Sequence, residues 1–388
     1  MPLTISDRRS SRCARPTAGD LIQSRCSIVK PASHVLIPLL APLIISDVAA
    51  CVICLDPQGS LLDQMQTSRD VVVARCVDST SGEYQIVRSI RGYRGRRGTS
   101  VRGCRESAIP FDPTKRILRW HDIGQFWMDV GPADEEFLAF AEQMILRYSS
   151  TSADSLSLEE QVNRLVAFIP FLEHSNPLIA EAAINRLAGA PYQTLRYLDA
   201  YWTPAALISR LDQLAEESAD VAERRSLYVK LLGVCGRSTD LPVANSWIQS
   251  RLDNAKAEEL EALLTASLEL RGDSEIDHIA TEYLFDPGRS LTEIAATISA
   301  LSTHANCDGV VSQIRVQQAF RTIVSNRTPL MELVLADLQK WKDESLIPVL
   351  YEIRQTNAQP WNHQLIDAYL AAVAPRDHST AAALVPDD

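Results

Sequence analysis

The sequence predicts a mainly helical α+β chain of more than one domain. A small N-terminal β module, barrel or sandwich, should precede an α-helical stack. Three observations carry this. The chain of 388 residues is long for one ordinary domain. Its charge steps near residue 130: residues 1–130 carry 18 Lys/Arg against 12 Asp/Glu, and residues 131–388 carry 20 against 37. The hydrophobic period also changes there, from two residues to between three and four. The net charge of −11 is therefore +6 on the first part and −17 on the second. An acidic second part argues against nucleic-acid binding there. A composition 46% hydrophobic and 22% charged is globular.

Residues 1–50 read as a secretory signal with a long basic lead. Arg8, Arg9, Arg12, Arg15, Arg25 and Lys30 precede an apolar run, "VLIPLLAPLII", at 35–45. Val48, Ala49 and Ala50 then supply the small residues of a cleavage site. The basic segment stays on the cytoplasmic side while the apolar segment enters the translocon. This places the mature chain outside the cytoplasm, periplasmic or extracellular. The alternative is a buried strand or helix of an N-terminal domain. Val48-Ala49-Ala50-Cys51 also reads as a relaxed lipid-attachment site on Cys51, although Asp47 stands where such signals prefer an apolar residue. No apolar run reaches the roughly 18 residues of a spanning helix.

Residues 51–130 are predicted as the β module. "SRDVVVARCVD" (68–78) and "GEYQIVRSIRG" (82–92) are β-rich runs joined by "STSG". "RILRW" (116–120) and "GQFWMDV" (124–130) read as later strands. Cys51, Cys54, Cys76 and Cys104 are an even set. In an exported module they read as two disulfides with three ways of pairing. Two readings compete with this. One is a redox pair, Cys51 and Cys54, which would need a helix N-terminus inside a βαβ unit. The other is a four-thiolate zinc site, for which Cys76 and Cys104 do not form the second half.

The order Cys51-x-x-Cys54, then "SRDVVVARCVD", then "YQIVRSIRGYRG" resembles the netrin-like and TIMP-like OB-barrel module. That module opens with Cys-x-Cys, where this chain has one residue more. The resemblance implies an OB-type barrel and carries over no protease-inhibitor function.

The stretch 88–105 holds Arg88, Arg91, Arg94, Arg96, Arg97, Arg102 and Arg105, with no acid between Glu83 and Glu106. It reads either as a solvated hairpin loop or as an anion site. In an exported protein the anion would be a polysaccharide or a lipid head group rather than nucleic acid. Gly92, Gly95 and Gly98 precede no predicted helix, so a phosphate-cradling loop is not indicated.

Residues 131–376 read as consecutive helices, with 377–388 as a flexible tail. A first helix covers 134–148, with acids in its opening turn. Ser157 and Glu160 form a capping box, and Leu158, Val162, Leu165, Val166, Ile169 and Leu172 share a stripe. "HSNP" is a turn, Pro177 opens the next helix and Gly189 stops it. Further pairs are predicted at 204–214 with 221–234, 240–253 with 256–270, 275–285 with 291–303, 310–325 with 329–341, and 345–356 with 361–374. A Pro-started second helix with small core residues resembles a HEAT-like repeat, which implies an α-solenoid; a helical bundle is the alternative. "RLVAFIPFLEHSNPLIAEAAINRLAGAPY" followed by "RRSLYVKLLGVCG" also resembles a segment of uncharacterised exported proteins of planctomycete type. That resemblance covers roughly residues 50–240 and implies no catalytic residue.

No nucleotide loop, serine elbow or zincin motif appears in the mature chain. His278 and Glu282 are four residues apart, as two metal ligands would be, but no third is visible. His121-Asp122 reads as a strand turn before it reads as a dyad, and His174 as a turn residue. Cys235 reads as a small core residue, and Trp202, Trp247 and Trp341 as core or inter-repeat packing before ligand cages. The chain is thus expected to be an exported, non-enzymatic interaction or scaffold protein with no cofactor and no bound metal. Its partner would be a protein or an anionic cell-envelope polymer. The alternative is an exported thiol-disulfide or other enzyme using Cys51 and Cys54.

Overall fold

A computed structural model of the chain describes residues 60–373, apart from 79–80, 93–95, 106–114, 123–124, 149–155, 216–220, 253, 308 and 357–359. The predicted signal, its cleavage residues Val48, Ala49 and Ala50, and Cys51 and Cys54 lie outside the described residues, as does the tail at 377–388.

The described chain is mainly helical with one small five-stranded sheet. Ser60 caps α1 (Leu61–Thr67) by accepting from the Asp63 amide. The strands are β1 (Val71–Asp78), β2 (Glu83–Arg91), β3 (Ser100–Arg105), β4 (Lys115–His121) and β5 (Phe126–Pro132). β1 lies between β2 and β4 and is antiparallel to both. β2 pairs with β3, and β4 with β5, again antiparallel. β3 and β5 run parallel, with Gly103 opposite Trp127 and Arg105 opposite Asp129. Every strand therefore has two partners.

The sheet buries both faces of β1, which is why its sequence runs Val71-Val72-Val73-Ala74 without alternation. Val72, Ala74 and Cys76 face one cluster with Tyr84, Ile86, Leu118 and Trp127. Val71 and Val73, with Ile117, face the other way into the core of the helices. Gly92 ends β2 at φ +80°, and a Cβ there would stand 2.1 Å from an Asp70 carboxylate oxygen. Only glycine fits that approach.

The helices are α2 (Glu135–Tyr148), α3 (Leu158–Val166), α4 (Pro177–Ala188), α5 (Tyr192–Leu195), α6 (Pro204–Ala215), α7 (Ala222–Thr239), α8 (Leu241–Leu252) and α9 (Ala257–Arg271). There follow α10 (Ser274–Ile279), α11 (Leu291–Ala305), α12 (Gln313–Asn326), α13 (Glu332–Lys340), α14 (Ile347–Thr356) and α15 (Pro360–Val373). The predicted capping box at Ser157 and Glu160 forms, and a second joins Ser290 to Glu293. Asn176 caps α4 and Pro177 is its first residue.

α9 packs against α7 and α11 and is buried on every side from Ala262 to Leu270. Its approach to α7 is close: a Cβ on Gly233 would meet the Ala266 Cα at 2.8 Å. A π-helical turn, Ala280–Leu284, extends α10. Its open carbonyls are taken by arginines, Glu282 O by Arg289 at 3.0 Å and Leu284 O by Arg327 at 2.5 Å.

The structure adds elements that the sequence did not mark. α1 precedes the first predicted strand. β3 runs through the arginine-rich stretch, for which the sequence predicts no strand. A short helical segment, α5 followed by 3-10 turns over Arg196–Tyr201, joins α4 to α6.

Candidate functional site

The arginine-rich stretch forms the far part of β2, a turn and β3, and the structure separates its arginines into two groups. Arg88 lies opposite Val73 in the register and reaches α2, where it pairs with Glu142. Arg91 donates to the Gln66 carbonyl at the end of α1. These two hold the sheet against helices. Arg96, Arg97 and Arg102 stand exposed on the turn and on β3, with no partner among the described residues. The turn is anchored to β2, with Gly98 N donating to Ile86 O at 2.8 Å and Ile86 N donating to Thr99 O at 2.9 Å. Arg94 lies outside the described residues, and Arg105 is described in its backbone alone.

Arginines elsewhere mostly have partners. Arg186 meets Asp63 at 2.9 Å, Arg225 meets Glu259 at 2.7 Å and Arg315 meets Asp277 at 2.6 Å. Three guanidinium groups within seven residues, with no partner among the described residues, repel one another. A solvated anion would relieve that repulsion, and guanidinium forks suit carboxylates and phosphates.

Inside the sheet, a buried polar triad ties three strands. Tyr84 Oη donates to Asp129 Oδ2 at 2.8 Å, and Arg116 Nε donates to both Asp129 oxygens at 3.0 Å. All three are almost fully buried. Cys76 shares this interior. Cys104 sits in β3 with its side chain undescribed, and no disulfide joins two described side chains. Of the four cysteines expected to pair, Cys51 and Cys54 lie outside the described residues, and Cys76 is the one whose side chain is described.

A second polar cluster sits between helices, and the sequence reading missed it. Glu269, nearly fully buried on α9, receives Arg196 Nε at 2.9 Å and Arg237 Nη1 at 3.2 Å. His304 of α11 is fully buried, with Nε2 2.8 Å from the Thr265 carbonyl. A carbonyl can only accept, so Nε2 carries the proton. Nδ1 then turns a lone pair toward Glu269, 3.9 Å away. Burial lowers the His304 pKa to about 4, so the ring is neutral. Burial, and then the Glu269 carboxylate, push the Tyr192 phenol well above its usual range. Tyr192 packs edge-on to His304, with ring centroids 5.1 Å apart. The one signal available was a glutamate inside the apolar run of α9, with no visible partner nearby in sequence.

The remaining candidates scatter. His278 and Glu282 are both exposed, and among the described residues no group of three or more His, Cys, Asp or Glu is placed to hold a metal. His174 accepts the Asn176 amide at 3.1 Å through Nδ1, a turn role. The His121 side chain is not described. Trp341 stacks on Phe320, and Trp247 lies under Arg251. Cys235 is fully buried, and burial raises its thiol to about 11. Among the described residues no helix is long and apolar enough to cross a membrane.

No family model matches the chain, and no match is found among curated proteins or solved structures.

Proposed function

We propose that the protein is an exported, non-enzymatic interaction protein. In this reading the β module presents a cationic turn to an anionic cell-envelope polymer, and the helices form the scaffold behind it. One observation carries it: Arg96, Arg97 and Arg102 stand exposed and without a partner among the described residues, while the neighbouring Arg88 and Arg91 are tied into the fold. The two-partner strand order β1-β2-β3-β5-β4 supports an OB-type barrel as the carrier. The packing of α7 on α9 and of α9 on α11 supports a HEAT-like stack behind it.

The test is co-sedimentation of the full mature chain with cell-envelope material from an exporting host. Binding should fall steeply with ionic strength and should be lost in the R96Q/R97Q/R102Q variant. Binding indifferent to salt and to these arginines would sink the reading.

A further inference from the structure

The arginine turn is continuous with a polar strip on the sheet. β strands alternate their side chains, so the residues flanking those of the buried interior point outward. Arg116, Tyr84 and Val101 point inward, and Lys115, Gln85, Ser100 and Arg102 therefore point out. The register sets Lys115, Arg75, Gln85 and Ser100 side by side across four strands. The next pair, Glu83 with Arg102, lies two residues further along. Helices cover the other part of this face, over Val71, Val73 and Ile117.

The strip mixes cations with neutral polar groups, and the Glu83 carboxylate stands opposite Arg102 at its end. Arg75 and Arg102 are exposed guanidinium groups, and Lys115 adds an ammonium held to Glu135 at 2.6 Å. Arg75 Nη2 donates to Gln85 Oε1 at 3.1 Å, which fixes the amide so that its nitrogen is the free end. The Ser100 hydroxyl is exposed beside it. Cations suit carboxylates, while a fixed amide and a hydroxyl suit neutral hydroxyl groups. A polymer carrying both on each unit is an acidic sugar chain.

Other polyanions fit less well. Single-stranded nucleic acid relies on bases stacking on aromatic rings. The rings of Tyr84 and Trp127 are turned into the buried interior, and no exposed ring is found among the described residues of this face. A lipid surface needs apolar side chains to enter it. Val77 is the one large apolar side chain exposed on β1.

We infer that the strip formed by Arg75, Gln85, Ser100 and Arg102, continued by Arg96 and Arg97, binds a polysaccharide of the uronate class. This deepens the interaction-protein reading and rests on it.

The test uses the full mature chain and polygalacturonate, compared with polyphosphate, oligo-dT and phosphatidylglycerol vesicles at equal charge. Wild type should prefer polygalacturonate. R96Q/R97Q/R102Q should weaken polygalacturonate and polyphosphate alike, by about tenfold or more. Q85A/S100A should weaken polygalacturonate several-fold and leave polyphosphate unchanged. Each variant is checked by thermal melting, and soluble oligogalacturonate should displace the wild-type protein from the polymer whether or not a variant folds. Equal binding of all polyanions, a preference for oligo-dT or vesicles, or indifference to Gln85 and Ser100 would overturn the inference. Arginine-dependent binding to envelope material that polygalacturonate cannot compete would remove this inference and leave the broader reading standing. No binding to either material would remove both.

Discussion

Tyr84 and Asp129, 45 residues apart, share a hydrogen bond of 2.8 Å inside the sheet. Asp129 is also the partner of Arg116, so β2, β4 and β5 meet at one carboxylate. A buried ion pair is costly to desolvate, and breaking one is worse because it strands a charge. Asp129→Ala should therefore destabilise the protein by about 3–5 kcal/mol. Tyr84→Phe, which removes one hydrogen bond, should cost about 1–3 kcal/mol. Denaturant unfolding of the two variants checks the order. Equal losses would mean that the Arg116 charge is not stranded.

His304 makes stability depend on pH in a definite direction. Its folded pKa, about 4, lies below the ordinary value of 6.5. The unfolded chain thus takes up a proton that the folded chain refuses. The His304 contribution is complete above pH 6.5, shrinks as pH falls, and reaches its lower limit near pH 4. The full span is about 3 kcal/mol. Glu181 and Glu223, both raised by burial, act in the opposite sense at the acid end of this window, so a variant is needed to isolate the histidine. Melting of wild type and His304→Gln between pH 4.5 and 7 should show a steeper decline for wild type. Parallel curves would remove His304 as the cause.

Gly233 is required by space rather than by backbone angle. An added methyl would press on Ala266 of the facing helix. Gly233→Ala should cost about 1–3 kcal/mol by overpacking. Ala266→Gly should recover part of that loss in a double-mutant cycle. Strict additivity of the two changes would show that α7 and α9 do not meet there in solution.

Export is testable on the whole protein. Intact-mass analysis of chain made in an exporting host should show a start at Cys51 and two disulfides among Cys51, Cys54, Cys76 and Cys104. A mass beginning at Met1 would count against export. A reactive Cys51 and Cys54 pair under thiol labelling would favour redox chemistry instead.

Much of this fold was legible in the sequence because local signals agreed with it. Ser157 with Glu160, and Pro177 after Asn176, announce helix starts by chemistry that operates within a few residues. β1 and β2 showed themselves through Val and Ile. β3 did not, because half of "SVRGCR" is Arg and Gly, and its place depends on pairing with Tyr84 on one side and Met128 on the other. The same distance effect hid the Glu269 cluster. Arg196 and His304 stand 73 and 35 residues from that carboxylate, so nothing local records their meeting. Of the seven arginines, sequence could group them but not sort them. Glu142 removes Arg88 from the free set, and that contact spans 54 residues.

The two-sided burial of β1 bears on how the protein can be taken apart. Val71 and Val73 belong to the helical core while Val72 and Ala74 belong to the sheet interior. The charge step near residue 130 invites a cut there, yet such a cut would expose half of a strand's side chains. The β module is therefore no portable cartridge. Moved to another carrier without α2 and its neighbours, it would meet water with valines, and its arginines would be carried by a sheet prone to cluster. Any use of the face proposed here to bind anions, in nature or in the laboratory, comes with the helices attached.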